Sequence, residues 1–248
     1  MKTIILAGGK GTRISEYTKV IPKPMIRIQN EPILIHIIKH YSKFGFKDFY
    51  IALGYRKNVV LNYFKNFKKI DKPFNFTLDK KKISITLSDT GENTFTGGRL
   101  KRMRKFINKS EDFMFTYGDG VSNVNLKKLS NFHKKNRKMV TVTAVRPPAR
   151  FGEITLKKNI VATFKEKPQV KSGWINGGFF VAKYQFFEFI KGDNTILEKE
   201  PLEKAAKKNQ LCALRHKSFW KCMDTSRDKK VLEEIFKKNK FNWKTEKY

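Results

Sequence analysis

Cysteine is nearly absent: Cys212 and Cys222 are the only two in 248 residues, with no Cys-x-x-Cys pair and no histidine cluster beside them. That excludes a disulfide framework and predicts a reduced pair, the default of a cytoplasmic protein. His36 and His40 have the i, i+4 spacing of a metal helix but lack the glutamate of His-Glu-x-x-His, so both are expected to be structural. No run approaches the ~20 apolar residues that span a bilayer. The opening run Lys2–Leu6 is too short for a leader and passes into glycines instead of a cleavage site. No Pro/Gly/Ser-rich linker and no repeat divides the chain, which predicts one compact unit over residues 1–248. Acidic residues are scarce, 22 against 54 basic ones, and the net charge of +32 raises nucleic-acid binding as a reading. Yet 43 of the 54 are Lys, scattered over the whole length, and the runs at Lys80–Lys82 and Lys237–Lys238 sit in polar stretches. Nucleic-acid modules focus basic charge on one face with interleaved aromatics. Neither a nucleic acid nor a membrane is expected as partner.

What is present begins at residue 6. Leu6-Ala-Gly-Gly-Lys-Gly-Thr-Arg13 follows the short apolar run Lys2–Leu6, long enough for one buried strand, and Pro22-Lys23-Pro24 follows ten residues later. The pattern is neither the P-loop nor the dinucleotide Gly-x-Gly-x-x-Gly. Gly8, Gly9 and Gly11 can take positive φ and let backbone N–H groups turn inward, forming a nest for phosphate oxygens. Arg13 adds a fork that fits two such oxygens, and Lys23 is fixed between two prolines. The stretch predicts a triphosphate site.

Apolar runs and helical patterns alternate along the first half. Helices are expected over 32–44, 58–67 and 94–106, and strands over 48–53, 82–87, 112–117 and 139–145. The second half is less regular, with a hairpin over 151–156 and 160–166, a strand over 175–182 and helices over 198–209 and 229–238. This rhythm predicts an α/β fold, a Rossmann-like and mostly parallel central sheet flanked by helices, with a smaller mixed β region in the second half. Residues 1–145 would form the nucleotide-binding core, with 146–248 as the less regular remainder of the same unit. The aromatics Phe179-Phe180 and Phe186-Phe187 are expected in the core.

Asp119 stands between Gly118 and Gly120 at the end of an apolar strand, where ligands gather in open α/β sheets. Asp224, in Trp220-Lys-Cys-Met-Asp-Thr225, is the second acid. Two carboxylates meeting across a triphosphate suit Mg²⁺.

The order of Leu6–Arg13, Pro22-Lys-Pro-Met25, Gly118-Asp-Gly120, Glu166-Lys-Pro168, Trp174-Ile-Asn-Gly-Gly-Phe-Phe180 and Met223-Asp-Thr225 resembles the sugar-1-phosphate nucleotidyltransferases. Asp89-Thr-Gly91, Thr94–Arg102, Pro147–Gly152, Pro201-Leu-Glu203 and Asp224–Asp228 narrow the likeness to the cytidylyltransferases that act on glucose 1-phosphate. The resemblance implies a Mg²⁺-assisted in-line transfer from CTP to glucose 1-phosphate, giving CDP-glucose for cell-surface polysaccharide such as O-antigen. It places Leu6, Ala7, Gly8, Gly9, Lys10, Gly11, Thr12 and Arg13 around the nucleotide together with Gly118, and Lys23 at the α-phosphate. Thr94 and Arg99 fall at the base, while Glu166, Lys167, Asn176 and Gly177 fall at the sugar phosphate. Arg13 and Lys23 would be catalytic, and Asp119 and Asp224 would hold the metal. A homo-oligomer is implied as well. His216, near Asp224, is a candidate lining residue, and Gln29 stands where the family commonly has glycine. Use of dTTP or UTP, or a non-catalytic nucleotide-sensing role, are the alternative readings.

Overall fold

The computed structural model describes residues 1–147, 153–157, 160–165 and 173–238. The chain runs β1 (Thr3–Leu6), α1 (Ser15–Thr18), β2 (Arg27–Ile28), β3 (Glu31–Pro32), α2 (Ile33–Lys43), β4 (Asp48–Leu53), α3 (Lys57–Tyr63), β5 (Pro73–Leu78), β6 (Lys81–Asp89), α4 (Thr96–Arg102) and β7 (Phe113–Tyr117). It continues through β8 (Gly120–Ser122), α5 (Leu126–Asn136), β9 (Val140–Val145), β10 (Glu153–Lys157), β11 (Ile160–Lys165), β12 (Ile175–Ala182), α6 (Glu200–Lys207), β13 (Leu211–His216), β14 (Trp220–Cys222) and α7 (Ser226–Lys237).

Eight strands form one sheet in the order β13-β9-β12-β7-β1-β4-β6-β5. The pairs β1–β4, β1–β7, β4–β6 and β9–β13 are parallel, while β12 runs antiparallel between β7 and β9. The mostly parallel α/β sheet expected from the sequence is the one observed, and the hairpin β10–β11 is antiparallel as expected. Burial on both faces explains the short continuous apolar runs. Along β1, Ile5 joins the core under α2, α5 and α7, and Ile4 and Leu6 join the core under α4 and α6. The second core is aromatic: Phe115 stacks on Phe180 at 4.3 Å between ring centroids, and Phe113 on Phe187 at 4.8 Å.

From β1 the chain moves outward to β4 and β6, then returns to place β7 on the other flank of β1. This reversal opens a crevice at the carboxyl ends of the strands. Leu6 and Tyr117 are register partners there, so the turn after β1 and the turn after β7 leave the sheet side by side.

Several elements differ from the sequence reading. The helix expected over 94–106 begins at Thr96 and tightens to 3-10 geometry at Met103–Phe106. β5, β8, α5, β13 and β14 were not anticipated. β5 and β13 are edge strands with half their residues outward, and α5 is started by Asn125, whose side chain accepts from the Lys128 N–H at 2.9 Å. Gln29 carries φ +54° in the β2–β3 turn, a backbone conformation that favours glycine. No helix among the described residues is long and apolar enough to cross a membrane.

The four histidines are buried. Burial pushes the His40 imidazole down to about 3, and it lowers His36 and His133 as well. Each takes up a proton less readily in the fold than in the unfolded chain, where histidine protonates below about 6.5. The unfolded state therefore binds more protons as pH falls, and stability drops from pH 6.5 downward. His40 alone removes about 2 kcal/mol between pH 7 and pH 5, with His36 and His133 acting in the same direction. Urea unfolding at the two pH values measures this, and equal unfolding free energies would mean that the histidines are charged in the fold.

Candidate active site

The turn after β1 is tied to its neighbours before any ligand arrives. The Ala7 N–H donates to the Ala52 carbonyl at 2.9 Å, and the Gly8 carbonyl accepts from the Tyr55 N–H at 3.1 Å. Of the three glycines read as turn formers, only Gly11 takes positive φ, at +63°. Gly8 is needed for another reason: a Cβ there, or on Gly54, would overlap the buried Arg99 guanidinium. Gly9 meets open space. Lys10 Nζ reaches across to Asn93 Oδ1 at 3.0 Å, linking the glycine turn to the loop before α4. Thr12 and Arg13 lie in a 3-10 turn, Thr12–Ile14, that leads into α1.

Lys23 opens the 3-10 turn Lys23–Met25, with Pro22 extended at φ −69°, ψ 148°. Its ammonium donates to Asp119 Oδ2 at 2.7 Å and to Asp224 Oδ1 at 2.6 Å. Arg13 Nη1 lies 2.9 Å from Asp224 Oδ2, on a side chain 69% exposed. Burial pulls the Lys23 ammonium toward neutrality, but the two carboxylates outweigh it and its pKa rises above the ordinary lysine value. Sequence distances of 96 and 201 residues are closed here. Asp119 follows β7 through Gly118, whose N–H donates to the Leu6 carbonyl at 3.0 Å and whose Cα faces Pro24 too closely for a side chain. Asp224 arrives by the β8–β14 pairing, which sets Cys222 opposite Gly120, and by the Met223 N–H donating to the Asp119 carbonyl at 2.9 Å. A capping box between Thr225 and Asp228 starts α7 directly after it, and Lys221 braces Asp228 at 2.6 Å.

The donor set fits a magnesium ion that is shared with a ligand. Two carboxylates already converge on one cation, and no group of three or more His, Cys, Asp or Glu suited to a metal occurs among the described residues. Mg²⁺ is commonly held by one or two carboxylates, with phosphate oxygens and water filling the rest.

On the base side, expectation and structure differ. Arg99 is 3% exposed, and its guanidinium donates to Thr90 Oγ1 and to the carbonyls of Leu53, Gly91 and Glu92 at 2.6 to 3.1 Å. Its donors are turned to the protein's own backbone, so it holds the wall of the crevice and does not present a free fork to a base. Thr94 is also buried, packed at Gly91.

Beyond Asp119 a pocket is lined by Tyr117, Asn176, Gly177, Trp220 and Cys222. Asn176 donates to the Tyr117 hydroxyl at 3.2 Å, and the Gly177 carbonyl accepts from Trp220 Nε1 at 2.7 Å. Glu166 and Lys167 lie outside the described residues. Tyr117 and Glu198, whose carboxylate accepts from the Tyr117 hydroxyl at 2.5 Å, escaped the sequence reading. Tyr117 stands beside Gly118-Asp119 and could have been found, whereas Glu198 carries no local signal. Burial, with Asp224 and Asp119 nearby, pushes the Cys222 thiol up to about 12, so it stays protonated. His216 Nε2 lies 3.0 Å from the Phe219 carbonyl and 3.2 Å from Ser122 Oγ, a structural setting outside that lining.

Residues 2–227 match the nucleotidyl transferase family model. The chain is 44% identical over 255 aligned residues to the glucose-1-phosphate cytidylyltransferase of Salmonella typhimurium, covering 99% of both chains. It is 37% identical to a probable glucose-1-phosphate cytidylyltransferase of Bacillus subtilis, over 98% of this chain and 99% of that one. Among solved structures, a putative glucose-1-phosphate thymidylyltransferase from Bacillus anthracis superposes with a TM-score of 0.71 at 18% identity, over 95% and 94% of the two chains. That likeness concerns the fold.

The Arg99 contact gives a stability test. Gly54→Ala would displace the guanidinium and leave the Leu53 and Gly91 carbonyls without its hydrogen bonds, costing about 2–4 kcal/mol. Thermal unfolding of the variant reads this, and an unchanged midpoint would show that Arg99 can leave without cost.

Proposed function

The chain belongs to the nucleotidyl transferase family, and we propose that it transfers the cytidylyl group of CTP to α-D-glucose 1-phosphate, releasing pyrophosphate. The near full-length similarity at 44% identity to the Salmonella typhimurium enzyme supports the choice of substrates. The observation that carries the chemistry is the Lys23 ammonium held between Asp119 and Asp224 beside the glycine turn.

A phosphate oxygen of glucose 1-phosphate attacks the α-phosphorus of CTP. The new P–O bond forms as the bond from that phosphorus to the bridging oxygen breaks, and its electron pair leaves with pyrophosphate. The nucleophile arrives ionised, so no side chain need remove a proton. What the reaction needs is alignment and cancellation of negative charge. The turn Leu6–Thr12 wraps the nucleotide, with backbone N–H groups set toward phosphate oxygens. Lys23, kept protonated by its two acids, supplies fixed charge at the α-phosphate, and the exposed Arg13 reaches the outer phosphates. Asp119 and Asp224 would hold Mg²⁺, which when bound neutralises phosphate charge and orients the triphosphate. Thr94 and the backbone clamped by Arg99 border the base, and Asn176 and Gly177 border the hexose, with Glu166 and Lys167 assigned there by resemblance. Resemblance also supports a cytoplasmic homo-oligomer whose product serves cell-surface polysaccharide such as O-antigen.

Pyrophosphate release is measured with glucose 1-phosphate, Mg²⁺ and each of CTP, UTP, dTTP, ATP and GTP in turn. Release is expected with CTP, abolished by EDTA and reduced about 10²- to 10³-fold in Asp119→Asn, a loss of roughly 3–4 kcal/mol of transition-state stabilisation. Release with another nucleotide instead of CTP would overturn the base assignment and keep the mechanism. Full activity in EDTA would remove the metal from it.

A further inference from the structure

The loop before α6 is strapped onto α4. The Phe95 N–H donates to the Asp193 carbonyl and the Gly97 N–H to the Thr195 carbonyl, each at 2.9 Å. Arg102 grips the Asp193 carboxylate with two bonds of 2.8 and 2.6 Å. Gly98 lies so close to Asp193 that a Cβ would stand 2.5 Å from its backbone. The Leu197 N–H ends the strap on Thr96 Oγ1 at 3.0 Å.

Glu198 is the next residue, and it faces both sides of the crevice. Its Oε2 accepts from the Thr96 hydroxyl at 2.9 Å, on the nucleotide side. Its Oε1 accepts from the Tyr117 hydroxyl at 2.5 Å, on the pocket side. A carboxylate only accepts, so the phenol proton must point at Glu198. The phenol oxygen then offers only lone pairs, and one of these takes Asn176 Nδ2–H at 3.2 Å. At the far end Asn176 Oδ1 accepts from the Gly178 N–H at 2.8 Å, which fixes the amide against a flip. The Tyr117 ring is seated on Gly178, where a Cβ would come within 2.8 Å of it. Every donor in the chain Gly178, Asn176, Tyr117, Glu198 thus points the same way. Among the described residues the relay leaves one Asn176 N–H and one Asn176 carbonyl lone pair for a ligand in the pocket beside Asp119.

We propose that Glu198 is a positioning residue that sets the hydrogen-bond polarity of the Tyr117–Asn176 pair, and through it the hexose phosphate the enzyme accepts. This rests on the transfer to glucose 1-phosphate proposed above. A fixed amide donor beside a fixed acceptor suits two neighbouring sugar hydroxyls, one accepting and one donating. A sugar epimeric at one of them would leave a partner unmet, and unmet polar groups are what make such sites selective. The strap ties the Glu198 carboxylate to the start of α4.

Glu198→Gln keeps the shape but removes the charge and brings an amide nitrogen that can donate, so the phenol proton is no longer held by an acceptor-only partner. Wild type, Glu198→Gln, Tyr117→Phe and the double variant are assayed with CTP and glucose 1-phosphate. The Glu198→Gln change should raise KM for glucose 1-phosphate roughly tenfold, the scale of one charge-assisted hydrogen bond, and leave KM for CTP within about twofold. It should narrow the preference for glucose 1-phosphate over galactose 1-phosphate. Tyr117→Phe should reproduce the effect and the double variant should be no worse than either, because both changes break one relay. An unchanged KM for the sugar phosphate, an equal rise in both KM values, or additive losses would overturn the assignment. A wild type that makes no CDP-glucose overturns the activity itself and this inference with it, whereas an active wild type with a silent Glu198→Gln variant overturns this inference alone.

Discussion

The ammonium of Lys23 between Asp119 and Asp224 is the contact on which the site depends. Two carboxylates in a half-buried crevice would repel each other, and neither would be fixed without a cation. The chain supplies that cation from residue 23, where a 3-10 turn after Pro22 aims one side chain. Such a pair adds little net stability against an apolar alternative, because desolvation offsets most of the attraction. Its value is geometric. It holds both acids side by side at the ends of β7 and β14, and it leaves a permanent positive charge between them.

The rest of the fold can be understood as the means of bringing those three residues together. The parallel pairing of β1 with β7 makes the two turns exit side by side. The strands β8 and β14, three residues each, then draw the C-terminal acid onto Asp119, and α7 locks it through the Thr225–Asp228 capping box. On the opposite wall Arg99 gathers the carbonyls after β4 and β6 into one rigid loop. Both anchors are buried cations that bind the protein's own oxygens, and both require neighbours without side chains or with constrained backbone.

How much of this was legible in the sequence follows from locality. The turn Leu6–Arg13, the Pro22-Lys23-Pro24 clamp and Gly118-Asp119-Gly120 carry their signal within a few residues, each beside a strand or a proline. Their meeting at one crevice follows from the alternating α/β pattern. Asp224 stands out as a second acid, but nothing local sets it beside Asp119, because β14 is short and half-exposed and shows no period. Gly8 was noted as a turn former, yet its reason for being glycine is the guanidinium of a residue 91 positions away. Contacts of that span leave no local trace, and the same holds for Glu198, which acquires its role only when the loop before α6 is strapped to α4.

The site is also defined by the proton chemistry it suppresses. Burial and the neighbouring acids raise the Cys222 thiol to about 12, and burial with the Glu198 carboxylate raises the Tyr117 phenol well above its usual range. The buried His216 is engaged with Ser122 and Phe219. Among the described residues around Asp119, neither this thiol nor this phenol is ionised near neutral pH. Covalent catalysis through the thiol, or proton abstraction by the phenolate, would need one of them ionised. A transfer between phosphates does not, because the attacking oxygen is ionised before it binds. Fixed cations beside protonated thiol and phenol groups suit that class of reaction.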